Sequence, residues 1–200
     1  MKIGPFVFLA TLAGAAAALP AATFEPIRES CSISVGEKAG TLRLQTNHGD
    51  CGDHGRCGDN MSDVPSSRFT GFAVADFANP GTHLTATLAA EAGTFTCSGT
   101  VKGGELDGTS VFTPDAGFVA RMEKMGFTGY DSEKLLAYAL LDVQSGWARS
   151  LKEMGIHGID ADNLIALRVF HVDTDYVHGI TALGYALPSA DQLISPVCRA

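Results

Sequence analysis

Between Cys31 and Thr113 apolar residues tend to fall at every second position, and glycines cut the pattern into short lengths. The clearest lengths are Thr41-Leu42-Arg43-Leu44, His83-Leu84-Thr85-Ala86-Thr87-Leu88, and Thr94-Phe95-Thr96-Cys97-Ser98-Gly99-Thr100-Val101. Such alternation turns one side of a strand to a core and the other to water. The frequent threonines suit extended backbone, because a β-branched side chain packs well on a pleated surface. Asn79-Pro80-Gly81, Glu91-Ala92-Gly93 and Gly103-Gly104 mark turns between the strands. The pattern predicts a small antiparallel sheet of about five or six strands within residues 23–113, folded over itself or capped by the residues beyond Pro114.

After Pro114 the period changes from two to that of a helix. Phe118, Met122, Met125 and Gly126 are followed 29 residues later by Trp147, Leu151, Met154 and Gly155, and after another 29 by Tyr176, Ile180, Leu183 and Gly184. An aromatic residue with apolar positions four and seven later lies on one helical face, and the column of Phe118, Trp147 and Tyr176 reads as core rather than as a ligand site. Each glycine stands where a left-handed C-terminal cap is wanted. Asp131, Asp160 and Ser189 then supply N-caps for second helices carrying Leu135/Leu136, Leu164/Ile165 and Leu193/Ile194. A fixed period predicts stacked units, here helical hairpins near residues 114–142, 143–171 and 172–200. The chain thus reads as α+β, a small antiparallel β module followed by 29-residue helical-hairpin repeats.

Residues 1–22 stand apart from both patterns. Lys2 is followed by an apolar run, Phe6 to Ala18, that is short for a membrane span and ends in Ala16-Ala17-Ala18. This reads as a secretory signal peptide, with a secreted or periplasmic product and no membrane span after its removal. The whole chain has 14 basic and 22 acidic residues and a formal charge of −8. Nucleic-acid backbones are bound by neutralising phosphates with Lys and Arg, so nucleic acid is not an expected partner.

Export places the five cysteines, Cys31, Cys51, Cys57, Cys97 and Cys198, where disulfides persist. Two pairings suggest themselves: Cys51 with Cys57 to close a small loop, and Cys31 with Cys97 to staple two strands. Around the first pair, residues 47–65 lose all periodicity and read as a loop. Within it His48, Cys51, His54 and Cys57 crowd together with Asp50, Asp53 and Asp59. Zinc prefers four nitrogen or sulfur ligands, but this spacing matches no zinc finger, C-x-x-C pair or calcium loop. A disulfide-closed polar loop, a variable insertion and a metal site built from His48, Cys51, His54 and Cys57 all remain open.

Elsewhere the chemistry is sparse. The chain has no H-E-x-x-H, no G-x-S-x-G and no P-loop. His157, His171 and His178 read as surface or boundary residues of the helical units. Asp173 and Asp175 fall in the first turn of a helix, where carboxylates meet the positive end of its dipole. No catalytic residue is expected, and no cofactor is implied.

Ala92-Gly93-Thr94-Phe95, Gly99, Gly108, Phe112-Thr113-Pro114-Asp115 and Met125-Gly126-Phe127, with Asn163 to Val169 and Val172 to Val177, resemble a bacterial module. It is the exported sheet-plus-helical-repeat segment associated with membrane metallopeptidases of the β-lactam-sensor antirepressor class. The resemblance covers roughly residues 82–186 and implies an accessory role in sensing or protein contact. The peptidase's membrane spans and zinc motif are absent, so no catalytic residue carries over. The expectation is an exported, non-enzymatic bacterial protein that binds another protein or an envelope component. The alternatives are a metal-binding or redox-responsive protein using residues 48–59, and a hydrolase with an unrecognised site.

Overall fold

The computed structural model describes residues 23–47 and 59–194. Seven strands lie among them: β1 (Ile27–Val35), β2 (Thr41–Asn47), β3 (Asp59–Pro65), β4 (Phe69–Thr70), β5 (His83–Ala90), β6 (Gly93–Lys102) and β7 (Glu105–Pro114). All neighbours pair antiparallel, in the order β3-β2-β1-β7-β6-β5-β4. Six helices follow: α1 (Ala116–Lys124), α2 (Ser132–Leu141), α3 (Ser145–Glu153), α4 (Ala161–Val169), α5 (Thr174–Ala182) and α6 (Ala190–Ile194). The fold is α+β, with a larger sheet than the alternation alone predicts.

The strand order contains its own closure. β3 and β4 are the two ends of the sheet, yet only the 3-10 turn Ser66–Arg68 separates them in the chain. Four Cα steps span at most about 14 Å, so the ends are drawn together and the sheet is nearly closed. Its inner side is the predicted apolar side. Ile33, Leu42, Leu44, Val64, Leu88, Phe95, Leu106 and Phe112 are all buried there. Helix α2 packs against β3 near one end of the sheet and against β5, β6 and β7 toward the other. It brings Leu135, Leu136, Tyr138 and Ala139 into the same core.

Closure this tight requires a crease, and the disulfide marks it. Cys31 of β1 and Cys97 of β6 are bonded with their Cα atoms 6.2 Å apart, although β7 lies between those strands. Two strand spacings in a flat sheet are about 9.6 Å, so the sheet bends sharply about β7. Cys31 faces Gly108, and Gly108 faces Gly99. A Cβ on Gly108 would collide with the Ser98 carbonyl oxygen and stand 2.6 Å from the Gly99 Cα. Only a glycine pair lets the two backbones approach so closely. The other proposed cysteine pair, Cys51 with Cys57, lies outside the described residues.

The loop expected over 47–65 needs a correction. β2 runs to Asn47 and β3 begins at Asp59, so the second part of that stretch is a strand paired with β2 from Asn47↔Asp59 to Thr41↔Pro65. An edge strand needs only backbone partners and one apolar contact. In the part of β3 whose side chains are described that contact is Val64, which is why Asp59-Asn60-Met61-Ser62-Asp63 shows no alternation.

Sheet and helices are tied at the C-terminal end of α2, where four carbonyls lack helical partners. The Arg68 guanidinium, coming from the β3–β4 turn, donates to the Leu140 and Ala139 carbonyls at 2.6 and 2.7 Å. Arg168 of α4 donates to the Leu141 carbonyl at 3.0 Å and lies over the Trp147 ring. Asp142 takes the left-handed conformation that ends the helix, and its carboxylate faces both guanidinium groups. Burial lowers the pKa of Arg68 from its ordinary value, and the Asp142 charge opposes that. At the helix N-termini, Asp115, Asp131, Asp160 and Asp173 each accept a hydrogen bond from the backbone N–H three residues on. Helix α3 has no such cap of its own. Glu91, from the β5–β6 turn, accepts from Ser145 N and Oγ instead.

Candidate functional site

An apolar groove at the α5–α6 end

Helices α1 and α3 are covered. Phe118, Val119 and Met122 of α1, Phe127 beyond it, and Ala148, Leu151 and Ile156 in and after α3 are all buried. Helix α5 is different, because Val177 is its one buried residue. Its Tyr176 and Ile180 line an open groove of about 370 Å³. The walls are Tyr176 and Ile180 of α5, the segment Tyr185 to Pro188, and Gln192 and Leu193 of α6. None of them carries a charge. Tyr176 is 44% exposed, Tyr185 67%, Leu187 36%, and Leu183, between the walls in sequence, 77%.

Several interactions hold this groove in shape. Asp173 caps α5 by accepting from Tyr176 N at 2.7 Å. The Trp147 indole donates to the Val172 carbonyl at 3.0 Å, fixing where α5 begins. Thr181 Oγ1 folds back onto the Val177 and His178 carbonyls, and Gly184, with φ of +87°, ends the helix. Beyond it Leu187 packs against Gly155. Ala190 N donates to the His157 carbonyl at 2.9 Å, which anchors α6 to the loop after α3. Ser189 and Gln192 complete a reciprocal cap at the start of α6. The exposed apolar residues therefore sit on a backbone that is hydrogen-bonded on both sides.

The chemistry this groove offers is contact with another apolar surface, plus two phenolic hydroxyls. His157, His171 and His178 are exposed, and the left-handed φ of +54° at His171 belongs to the end of α4. Asp173 and Asp175 occupy the N-terminal turn of α5. Ser145 with Glu91 forms the borrowed cap of α3. Tyr138 is buried, donates to the Ala161 carbonyl at 2.6 Å and packs edge-on against Phe118 and Tyr130. Burial pushes its phenol above the ordinary tyrosine value and pushes Tyr130 up to about 12. No group of three His, Cys, Asp or Glu side chains able to hold a metal occurs among the described residues. His48, Cys51, His54 and Cys57, the metal alternative, lie outside them. No described helix is long and apolar enough to cross a membrane.

Sequence reasoning passed over the groove because it read the aromatic column as core. That holds for Phe118, while Tyr176 is substantially exposed. The local signal was a cluster of large apolar residues, Leu183, Tyr185 and Leu187, in the segment where α5 ends.

No protein-family model, no curated protein and no solved structure matches the chain.

Proposed function

We propose that this is an exported, non-enzymatic binding protein that contacts another protein or an envelope component through the α5–α6 end of its helical layer. The observation that carries this reading is the groove itself, an uncharged apolar surface held rigid on a molecule whose other large apolar side chains are mostly buried. Export is supported by the signal-like residues 1–22 and agrees with the Cys31–Cys97 bond.

A helical-hairpin repeat explains why the surface lies where it does. Helices α1, α3 and α5 begin at residues 116, 145 and 174, and α2, α4 and α6 at 132, 161 and 190. Left-handed residues recur at 126, 155 and 184, at 129 and 158, and at 142 and 171. Helix α1 touches α3, α2 touches α4, and α4 touches α6. In this reading each hairpin covers the apolar end of the one before it, so the last keeps its own end open. The aromatic position shows the gradient, from buried Phe118 through half-buried Trp147 to exposed Tyr176. The accessory role beside a membrane metallopeptidase that the resemblance implies would be one form of such docking.

The test is crosslinking of the exported protein in intact envelopes, wild type beside Leu183→Asp and beside a sheet-surface control, Val35→Asp. A crosslinked species formed by wild type and the control but lost in Leu183→Asp is expected. A species that survives Leu183→Asp, or none with any chain, overturns the reading.

A further inference from the structure

Successive helix pairs are tied by hydrogen bonds that cross from one pair to the next, and the two boundaries differ. Between α1–α2 and α3–α4, the Lys152 ammonium donates to the Met125 carbonyl, Arg168 Nε to the Leu141 carbonyl at 3.0 Å and the Tyr138 hydroxyl to the Ala161 carbonyl at 2.6 Å. Lys134 and Asp162 add an ion pair at 2.8 Å. In the sequence, 29 residues beyond Lys152, Arg168, Tyr138 and Lys134 stand Thr181, Val197, Leu167 and Asn163. Valine and leucine have no side-chain donor. Thr181 Oγ1 donates within its own helix, and Asn163 Nδ2 donates to the Gly158 carbonyl of its own pair. Among the described residues, the bonds that cross to α5–α6 are Trp147 Nε1 to the Val172 carbonyl and Ala190 N to the His157 carbonyl. Apolar burial thins in the same direction. Helix α2 alone buries Leu135, Leu136, Tyr138, Ala139 and Leu140, whereas α5 buries Val177 and α6 buries Ala190 and Leu193.

We propose that α5 and α6 open together as one unit while the sheet and α1 to α4 stay folded. A segment that gives up few buried contacts and few crossing bonds opens at a lower free energy than the whole chain unfolds. The opening is joint because α6, at five residues, is too short to persist alone, and its Gln192 and Leu193 share the groove with Tyr176 and Ile180 of α5. Bonds inside the unit keep the groove in shape while it is seated, so the groove is kept whole or lost whole. A partner that binds there draws the population to the closed form. Comparing positions 29 apart rests on the helical-hairpin reading proposed above, whereas the opening itself does not require that the groove have a partner.

Hydrogen exchange of the full exported chain, followed by mass spectrometry in rising urea below the unfolding transition, tests this. Peptides over Thr174–Ala182 and Ala190–Ile194 should be at least about tenfold less protected than peptides over β6 and β7, and should share one urea dependence, shallower because less surface is exposed. Arg68→Met weakens the sheet junction equally in the closed and opened forms. It should speed exchange in β6 and β7 at least about tenfold and leave α5 and α6 unchanged. Asp173→Ala, at the start of α5, should speed the α6 peptide as well as the α5 peptide, by about fivefold. Protection of α5 and α6 equal to that of β6 overturns the opening, as does an Arg68→Met chain in which all peptides speed alike. An α6 peptide that Asp173→Ala leaves unchanged overturns the joint unit. Uniform protection beside a crosslinked species lost in Leu183→Asp sinks the opening and keeps the docking surface, and the expected exchange with no crosslinked species does the reverse.

Discussion

The curled sheet and the helical layer solve the same problem in opposite ways. A sheet has two edges whose unpaired backbone groups invite other chains. Here both edges are drawn together by the three residues between β3 and β4, and the bend is held by a disulfide across β7. A stack of helices has two ends rather than two edges. One end is covered by the sheet, through α2, and the other stays open at α5 and α6. The sheet is brought nearly to closure by a short connection and a covalent bond, while among the described residues the helical end is left with side chains and no cover. Substitutions in the first region should therefore register as lost stability. Substitutions in the second should register as lost association.

The largest effect is expected at the disulfide. Cys31 and Cys97 are 66 residues apart, and removing a bond across a loop of that length costs about 4 kcal/mol in the chain-entropy account. Replacing both with serine should lower the urea midpoint accordingly. A change below about 1 kcal/mol would mean that the Gly99–Gly108 crease and the β3–β4 link close the sheet without it.

Arg68→Met comes next. Its guanidinium makes two hydrogen bonds to the end of α2 and is largely buried beside Asp142. Hydrogen bonds to charged groups contribute about 1.5–3 kcal/mol, so a loss near 3 kcal/mol in denaturant titration is expected. Loss of less than about 0.5 kcal/mol would show that this junction does not hold the layers together.

At high pH the segment leading into α2 gives a third test. The Tyr130 phenol titrates near 12 in the folded chain because burial disfavours its anion, against about 10 when unfolded. Between those values the unfolded state has released the proton and the folded state has not, so stability falls as pH rises. It is fully present below about pH 10. Tyr130→Phe should flatten that decline in urea midpoints measured between pH 9.5 and 12. An unchanged slope would refute the burial assigned to Tyr130.

How much of this contrast was legible in the sequence depends on how local each feature is. Strands β5 and β6 and the helix caps were readable, because alternation at His83–Leu88 and Thr94–Val101 and the aspartates at 131 and 160 are local patterns. Strand β3 was missed because its polar face and short apolar contribution leave no period to detect. Closure was beyond reach for another reason. That β4 pairs with β5 while β3 pairs with β2 is decided by contacts distant in sequence, and nothing near Ser66 announces it. The crease is similar: Gly99 and Gly108 look like ordinary strand glycines until register sets them face to face. At the open end the residues were visible but their exposure was not, since burial depends on what covers them.

A smaller loss is expected within the helical layer. Asp160→Ala removes the carboxylate that accepts from Asn163 N at 2.7 Å, and such caps are worth about 1 kcal/mol. The drop should appear in thermal unfolding. An effect as large as that of Arg68→Met would mean that the helical units support one another more strongly than the junction does.

The smallest effect on stability is expected where the effect on association is greatest. Leu183 is 77% exposed, so placing an aspartate there removes little buried contact. Surface substitutions of this kind stay within about 0.5 kcal/mol. Measured on the purified chain, Leu183→Asp should unfold at the wild-type midpoint. If it instead loses as much as Asp160→Ala, the side chain is part of the fold and not of a surface. The open end would then be closed within a single chain, and the difference between sheet and helices would be one of degree.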